Sequence, residues 1–581
     1  MKSKKWLISL GMAVVLVVAF ALPACEPTEE SGWYTPEGDL ISFTISTIGG
    51  RSADVGLMIA TDLQDFGLDV ENEVLDSTTF IQYLYEPNLG GMQVYTYGED
   101  PSIDPWSDWI WTMLSDPEDW GYMWNPVWYY DEDYNELYFE NLMASNLTAK
   151  EEILHEMTAI LAEDLPLYYT IRSNFIAAYR TDHWDNWHNE LGGPVSWINE
   201  HSIREVTAVG NATQLGIGGL TMMPHTNMDP ELLMYTNIGC LYLMIVYENL
   251  AYFPKVDEDS LEVDPDAAYK FVPKLATNYS VTYEDDGQGG QNQIWTINLQ
   301  EGVKWHDYGE TGEILTADDV VYSMKYAVNK WDWTKPINWT AVEEDTEWEE
   351  ILPEHVLAEA DGDYTVKFTY IDGYHPSDEY VPNWWLWDPI VPQHIFEPDD
   401  RDPLEWDGNS IGTGPYKMAE FESDDYMLLE RFDDYWGDLP EAQQVMHKLY
   451  TDEGSMWLAL ESGVIDTHED TALPHTKIST YEADENIEVE IVPGLTVSYL
   501  GFNLHPTAGY EPLQDKVLRQ AIAYAIDMED VVDLIYGGYA ETPDGFIYSE
   551  SPMHNPDLPQ YEFDPTTAPD MLLAAGYTYV E

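Results

Sequence analysis

The chain has 581 residues, of which 44% are apolar, so it is long enough for two lobes with hydrophobic cores and is not expected to be disordered. Aspartate and glutamate outnumber lysine and arginine by 108 to 23, which gives a formal charge of −85 at pH 7. A nucleic-acid partner is not expected, because phosphate binding needs clustered cations. The acidity indicates a solvated surface suited to high salt, with attraction of cationic ligands as the alternative.

The amino-terminal segment predicts export. Residues 1–25 combine a basic start (MKSKK), an apolar run and small residues, which is the pattern of a secretory signal. LPAC (22–25) resembles the bacterial lipobox, which implies that Cys25 carries a lipid and that residues 26–40 form a tether. The alternatives are an ordinary signal peptide or an uncleaved anchor. With Cys25 acylated, Cys240 has no partner for an intramolecular disulfide. We therefore predict an extracytoplasmic protein, in the periplasm or at the cell surface, with a lipid anchor in the cell membrane.

The body of the chain opens with a β-α-β pattern. Residues 41–47 (ISFTIST) alternate apolar and polar side chains and lead into Gly49-Gly50, which is typical of a strand and a turn. Apolar positions at helical spacing follow in residues 53–67, and Gly67 is a suitable helix terminator. Residues 70–76 (VENEVLD) are predicted to form the next strand.

Strand and helix patterns alternate through the rest of the chain. Helical segments are predicted within residues 150–169, at 315–329 after a threonine cap, and as a helix pair within 517–538. The other predicted strands include QIWTINL (293–299), TVKFTYI (365–371) and YMLLERF (426–432). This alternation is typical of an α/β architecture.

Seven strings in the second part of the chain are similar to landmarks of one protein family. The strings are NMDPELLMYTNIGCLYLMIVYENL (227–250), EGVKWHDYGETGEILTADDVVYSM (301–324), IVPQHIFE (390–397), GTGPYKM to RFDDYWG (412–437), ALESGVIDTHE (459–469), GFN and its following helices (501–538), and DPTTAPDMLLAAGY (564–577). They resemble the extracellular solute-binding proteins of family 5, the peptide- and nickel-type receptors of ABC importers. Tyr308 interrupts the Asp-Gly that is usual in the second string.

The order of the landmarks is cyclically shifted relative to that family. In the family, the AGY helix is followed by a strand, a helix, an acidic turn and a closing helix. Here the matching strings stand at the front of the chain, as residues 41–47, 55–76, 98–106 and 150–169, and the usual opening begins near Gln214. We interpret the chain as a circular permutant; the alternatives are a gene-model artefact and a piece of a longer tandem protein.

The resemblance implies an α/β fold of two lobes joined by a hinge, the large class of the periplasmic-binding-protein fold with an extra subdomain. In permuted form, the smaller lobe would combine residues 41–176 with 498–581, and the larger lobe would be residues 177–497. Cuts at exposed loops are tolerated when the flanking elements still pack together. Glu581 is then expected to lie close to residues 33–40.

The resemblance also nominates ligand-binding residues. In peptide-binding relatives, a carboxylate of the acidic turn holds the peptide ammonium group, and a charge-assisted pair in a closed cleft is strong. Asp100 matches that position best and Asp104 second, while Arg51 follows the ISFTIST strand in the loop that binds a carboxylate in dipeptide-binding relatives. Trp106 directly follows the acidic turn and is expected to line the cleft with its indole. Each has a surface role as the alternative, and Arg519 is expected to be structural.

The predicted function is capture of a short peptide between two lobes and its delivery to the permease subunits of an ABC importer, by a monomer. The alternatives are a receptor for an oligosaccharide, an opine-like conjugate, another small solute or a chelated metal, and a surface receptor that does not transport. No enzyme activity is expected, because the chain has no nucleophile elbow, HExxH zinc motif or phosphate loop. A glycoside hydrolase is the enzyme class considered, but no motif isolates a carboxylate pair. No cofactor, catalytic residue or direct metal site is predicted.

Overall fold

The structure is a computed structural model that describes residues 31–581 with gaps. The residues outside the description are 86–91, 100–124, 143, 145, 190, 191, 197, 198, 221–241, 243, 253–270, 288, 329–355, 372–374, 376, 380–384, 386–388, 397–409, 423, 424, 470, 550 and 552. Within the described residues, no helix is long and apolar enough to cross a membrane.

Helices and strands alternate along the described chain, which confirms the predicted α/β class. The α-helices are α1 (Arg51–Phe66), α2 (Ser77–Tyr85), α3 (Glu132–Leu142), α4 (Leu147–Asp164), α5 (His201–Glu205), α6 (Tyr308–Thr311), α7 (Ala317–Val328), α8 (Gln393–Phe396), α9 (Glu453–Glu461), α10 (Ile478–Tyr481), α11 (Lys516–Tyr524), α12 (Met528–Ile535) and α13 (Thr567–Ala575). Short 3-10 helices span His475–Lys477 and Glu511–Gln514.

The strands form three large sheets and three two-stranded pairs. The strands are β1 (Gly32–Tyr34), β2 (Ser42–Ile48), β3 (Asp69–Leu75), β4 (Val94–Glu99), β5 (Leu167–Arg180), β6 (Trp184–Asp185), β7 (Thr207–Ala208), β8 (Gln214–Gly219), β9 (Ala251–Tyr252), β10 (Val272–Pro273), β11 (Ala276–Asp285), β12 (Gln291–Leu299), β13 (Val356–Ala360), β14 (Thr365–Tyr370), β15 (Tyr416–Glu422), β16 (Tyr426–Arg431), β17 (Gln444–Leu449), β18 (Thr467–His468), β19 (Ile487–Phe502), β20 (Ala540–Glu541) and β21 (Thr578–Val580).

The predicted β-α-β unit is present. Strands β2 and β3 pair in parallel over their whole length, and α1 connects them. The helix ends where Gly67 adopts a left-handed conformation with φ 99°, which a glycine reaches at little steric cost. Val55, Ile59 and Leu63 recur at helical spacing and are buried, so this face packs α1 against the sheet.

The largest sheet combines strands from distant parts of the chain. Its order is β20-β5-β19-β4-β2-β3, so strands from residues 42–99 and 167–180 pair with strands from residues 487–541. Strand β19 lies between β4 and β5 and is antiparallel to each of them. The five-stranded sheet has the order β15-β16-β17-β8-β18, and the four-stranded sheet has the order β11-β12-β14-β13.

The described parts of the two ends of the chain are paired, as the sequence predicted. Strand β1 is antiparallel to β21, with Trp33 opposite Tyr579. The Trp33 ring lies 5.3 Å from that of Tyr579 and 5.6 Å from that of Phe66, and its N–H donates to the carbonyl of Phe66 at 3.0 Å. Because Trp33 is only 3% exposed, this pairing buries a large apolar surface.

Two long strands connect the six-stranded sheet to elements around the five-stranded sheet. Strands β5 and β19 are 14 and 16 residues long, and their register shifts between Pro493 and Val497. A side chain at Gly494 would meet the carbonyl oxygen of Ser173 at 2.0 Å, so glycine permits this close approach. The predicted lobe boundaries at 176/177 and 497/498 therefore lie inside continuous strands, on either side of the register shift.

Candidate functional site

The first part of the candidate site is the edge of the six-stranded sheet where parallel strands end. Ile48 of β2 pairs with Leu75 of β3, and Ser46 pairs with Tyr95 of β4. The carboxyl ends of β2, β3 and β4 therefore lie along one edge, with the amino ends of α1 and α2 following. Ligands of open α/β sheets bind at such an edge, outside the carboxyl ends of the strands.

Arg51 is placed at this edge by the turn between β2 and α1. Gly50 has φ 76° and no side chain to cap the helix, so Arg51 stands at the first helical position. Its guanidinium lies 5.1 Å from the ring centre of Tyr536, a cation–π contact. A hydrogen bond of 2.9 Å between the hydroxyls of Ser52 and Thr96 ties the start of α1 to β4.

The guanidinium of Arg51 differs from those of the other described arginines. It makes no hydrogen bond or ion pair with any described residue, and it is exposed. Each of the others is engaged: Arg172 with Glu541, Arg180 with Asp182, Arg204 with Glu200, Arg431 with Asp433, and Arg519 with main-chain carbonyls. Arg51 is thus the described arginine that is available to an anion, helped by the positive end of the α1 dipole.

The other predicted site residues lie outside the described part of the chain. These are Asp100, Asp104, Trp106 and the predicted lipidation site Cys25. The described part of β4 ends at Glu99, at the same edge that carries Arg51.

The second part of the site is the long strand pair that extends beyond this edge. Arg172 of β5, Val497 of β19 and Glu99 of β4 are level with one another, and both long strands continue past them. The main-chain N–H of Ala178 donates to the ring of His468 in β18 at 2.9 Å. From Arg172 to Ala178 the strand spans about 20 Å, so it links the edge to the five-stranded sheet.

Arg172 was not nominated by the sequence, although it stands where β5 passes the edge. It is 2% exposed, donates to the carbonyl of Phe546 at 3.0 Å and lies 3.5 Å from the carboxylate of Glu541. Burial lowers the pKa of Arg172, and the nearby Glu541 carboxylate opposes that shift. The guanidinium also lies 5.2 Å from the ring centre of Tyr548, a cation–π contact that helps to enclose the charge. The signal in the sequence is that Arg172 follows a largely apolar and aromatic run, residues 167–171.

A third group lies at the carboxyl edge of the five-stranded sheet, where β8, β17 and β18 run in parallel. The buried ring of His447 lies 2.7 Å from the carboxylate of Glu469, which directly follows β18. A side chain at Gly219 would meet these groups at 2.7 and 2.4 Å, so the end of β8 must be glycine for the pair to form. Sequence reasoning missed this pair because Glu469 was read only as part of a family landmark.

The geometry can hold a polar ligand by its charged ends. Arg51 and the amino end of α1 can bind an anion, and Glu99 at the end of β4 supplies a carboxylate at the same edge. The described residues contain no group of three or more His, Cys, Asp or Glu side chains arranged to hold a metal ion.

Comparisons with known proteins identify relatives of this chain. The family model described as "Bacterial extracellular solute-binding proteins, family 5 Middle" matches residues 270–581. The chain is similar to the dipeptide-binding protein of Escherichia coli (strain K12), with 27% identity over 52% of this chain and 55% of that protein. It is also similar to the oligopeptide-binding protein AppA of Bacillus subtilis (strain 168), with 29% identity over 53% of this chain and 52% of that protein. The chain thus spans about half the length of the curated relatives it matches.

Two solved structures are also similar to this chain. A substrate-binding protein, CtaP from Listeria monocytogenes, shares 25% identity over 62% of this chain and 65% of that chain, with a TM-score of 0.42. The periplasmic binding protein DppA from Helicobacter pylori, in complex with the peptide STSA, shares 20% identity over 62% of this chain and 66% of that chain, with a TM-score of 0.45.

Proposed function

Because this chain belongs to the bacterial extracellular solute-binding proteins of family 5, we propose that it is the ligand-capturing receptor of an ABC importer and that its ligand is a short peptide. The family consists of solute-binding receptors of the two-lobed α/β class, and its members act outside the cytoplasm. In this proposal the peptide is enclosed between the lobes and delivered to permease subunits. The receptor is a monomer and is held to the membrane through the lipid on Cys25.

The observation that carries the proposal is the unengaged guanidinium of Arg51 at the edge where β4 enters the acidic turn. A peptide has an ammonium group at one end and a carboxylate at the other. Arg51 and the amino end of α1 suit the carboxylate, and Asp100 or Asp104 suits the ammonium group. Trp106 supplies an apolar wall with a polar N–H for the side chains between them.

The permuted topology is part of the proposal. In the cyclic order of motifs, residues 41–176 and 498–581 would form one lobe, and residues 177–497 the other. The pairing of residues 498–502 of β19 with β4 and with the start of β5 supports this assignment, because it joins the two segments of the smaller lobe. Strand β1 lies in the segment predicted as a tether, and its pairing with β21 attaches that segment to the end of the same lobe. The long strands β5 and β19 are then the natural candidates for the hinge.

Calorimetric binding of trialanine, N-acetyl-trialanine and trialanine amide tests the proposal. Asp100→Asn is expected to weaken binding of free trialanine by about 1.5–3 kcal/mol, the range for hydrogen bonds to charged groups. The acetylated peptide should bind poorly to the parent protein and lose little more on that substitution. Arg51→Ala should weaken the binding of free trialanine by a similar amount and leave the affinity for trialanine amide nearly unchanged.

Lys367, which is partly exposed, and Glu71, which is exposed, provide controls. Lys367→Ala removes a cation from β14, and Glu71→Gln removes a carboxylate charge from β3. Neither should change peptide affinity. Equal affinity for free, acetylated and amidated peptides would refute recognition of the charged termini, and saturable binding of a neutral oligosaccharide instead would identify the alternative ligand class.

A further inference from the structure

A cavity of about 260 Å³ lies beside strand β5 in the six-stranded sheet. Strand β20 pairs with β5 only at Arg172 and Ser173. The residues of β5 that precede Arg172 therefore have no neighbouring strand on that side. The end of α4, the start of α12 and two stretches after β20 surround this open flank. The cavity therefore has walls from β5 and four further segments rather than from one loop.

The cavity is separate from the proposed peptide site. Strands β19 and β4 stand between β5 and β2 in the sheet. At about 4.8 Å per strand, β5 lies roughly 14 Å from the strand that leads to Arg51. A ligand in this cavity would thus occupy a different flank of the sheet from a peptide bound at the edge of β2 and β4.

The chemistry of the walls is aromatic and acidic. Tyr168, Tyr169 and Tyr561 line the cavity together with Asp527 and Asp544, and none of the described lining residues is lysine, arginine or histidine. Tyr561 is fixed by a hydrogen bond of 2.7 Å to the carbonyl of Ala162. Aromatic faces and carboxylates attract an organic cation. An incoming cation would share Asp544 with His554, which lies 3.0 Å from that carboxylate and is not a lining residue.

Asp544 is held as a carboxylate at the wall. Burial raises its pKa, but hydrogen bonds from His554 at 3.0 Å and Gln560 at 3.0 Å outweigh burial and leave the pKa below its ordinary value. Its side chain is 14% exposed, so the charge is sheltered but reachable from the cavity.

Tyr169 supplies an independent indication of a ligand. The residue is 7% exposed and lines the cavity, yet its hydroxyl makes no hydrogen bond with any described residue. Its ring is held 4.8 Å from that of Phe546, edge to face. Because the residue lines the cavity and its hydroxyl has no described partner, the hydroxyl can accept a hydrogen bond from a group that enters the cavity.

We propose that this cavity binds a small primary ammonium ion. The ammonium group faces the Asp544 carboxylate and donates one N–H to the Tyr169 hydroxyl, while the tyrosine rings cover its alkyl chain. A primary ammonium has three donors, so it can satisfy these oxygens together. A quaternary ammonium has none and would gain only the charge and ring contacts.

Titration of the purified protein with butylammonium, tetramethylammonium and 1-butanol at pH 7.5 and 0.5 M NaCl tests this site. Butylammonium should bind saturably, and neutral butanol should bind at least tenfold more weakly. Asp544→Asn should weaken butylammonium about tenfold or more. Tyr169→Phe should weaken the binding of butylammonium about 2- to 10-fold, the range for one hydrogen bond. The same substitution should leave the affinity for tetramethylammonium unchanged.

Three controls separate this site from the diffuse acidity of the chain and from the proposed peptide site. Glu71→Gln and the exposed Tyr283→Phe should leave butylammonium binding unchanged, as should Asp100→Asn. Circular dichroism of the Tyr169→Phe variant checks that it folds. The proposal is overturned if butanol binds as well as butylammonium, if Asp544→Asn has no effect, or if the controls weaken binding as much as the cavity variants do.

Discussion

The proposed permuted topology makes a strong prediction about Trp33, which joins β1 to β21 near the two ends of the described chain. Trp33→Ala removes an indole that is 3% exposed, two ring contacts and the hydrogen bond to Phe66. Replacing a buried tryptophan by alanine costs about 3–5 kcal/mol, because the cavity collapses only in part. This destabilisation raises the equilibrium constant for opening of the cooperative unit that contains the tryptophan by about 100- to 4,000-fold.

Amide hydrogen exchange can show how far the destabilisation spreads. Strands β2 and β19 belong to one sheet, linked through β4, so their amides should lose protection together in Trp33→Ala. Leu534→Ala is the control, because Leu534 is 71% exposed on α12 and its truncation should change stability by no more than about 0.5 kcal/mol. If β2 lost protection while β19 kept it, the two segments would open independently, and the permuted single lobe would be refuted.

Two further predictions concern buried ionisable groups. Glu200→Gln should destabilise the protein by about 3–5 kcal/mol in urea unfolding, because it leaves the buried cations of Arg204 and Lys274 without this carboxylate. A loss of stability as small as that of the Glu71→Gln control would contradict this prediction. Burial lowers the pKa of His468 from 6.5 to about 3, so between these values the unfolded chain binds a proton that the folded protein excludes. Stability should therefore fall more steeply between pH 7 and 5 in the parent than in His468→Gln, and identical slopes in urea unfolding would contradict that reasoning.

The sequence determined the local elements and the family. The alternation of ISFTIST, the helical spacing that ends at Gly67 and the strand after it predicted β2, α1 and β3, because each pattern is set by residues close along the chain. The motifs identified the family over residues 270–581. Arg51 was nominated by the family resemblance, from its place after the ISFTIST strand, while Asp100, Asp104 and Trp106 stay predictions because they lie outside the described residues.

Tertiary structure decided which of these groups are available and which are engaged. The largely apolar run before Arg172 suggests that it is buried, but the sequence does not identify its partner Glu541, 369 residues away, or show that the guanidinium of Arg51 is unengaged. It likewise could not place His447 beside Glu469, since that contact depends on the parallel register of strands around Gly219. The spacing of apolar residues indicates which side chains share a face of a helix or strand. The partner of a charged side chain is set by strand register and long-range packing, which local sequence does not encode.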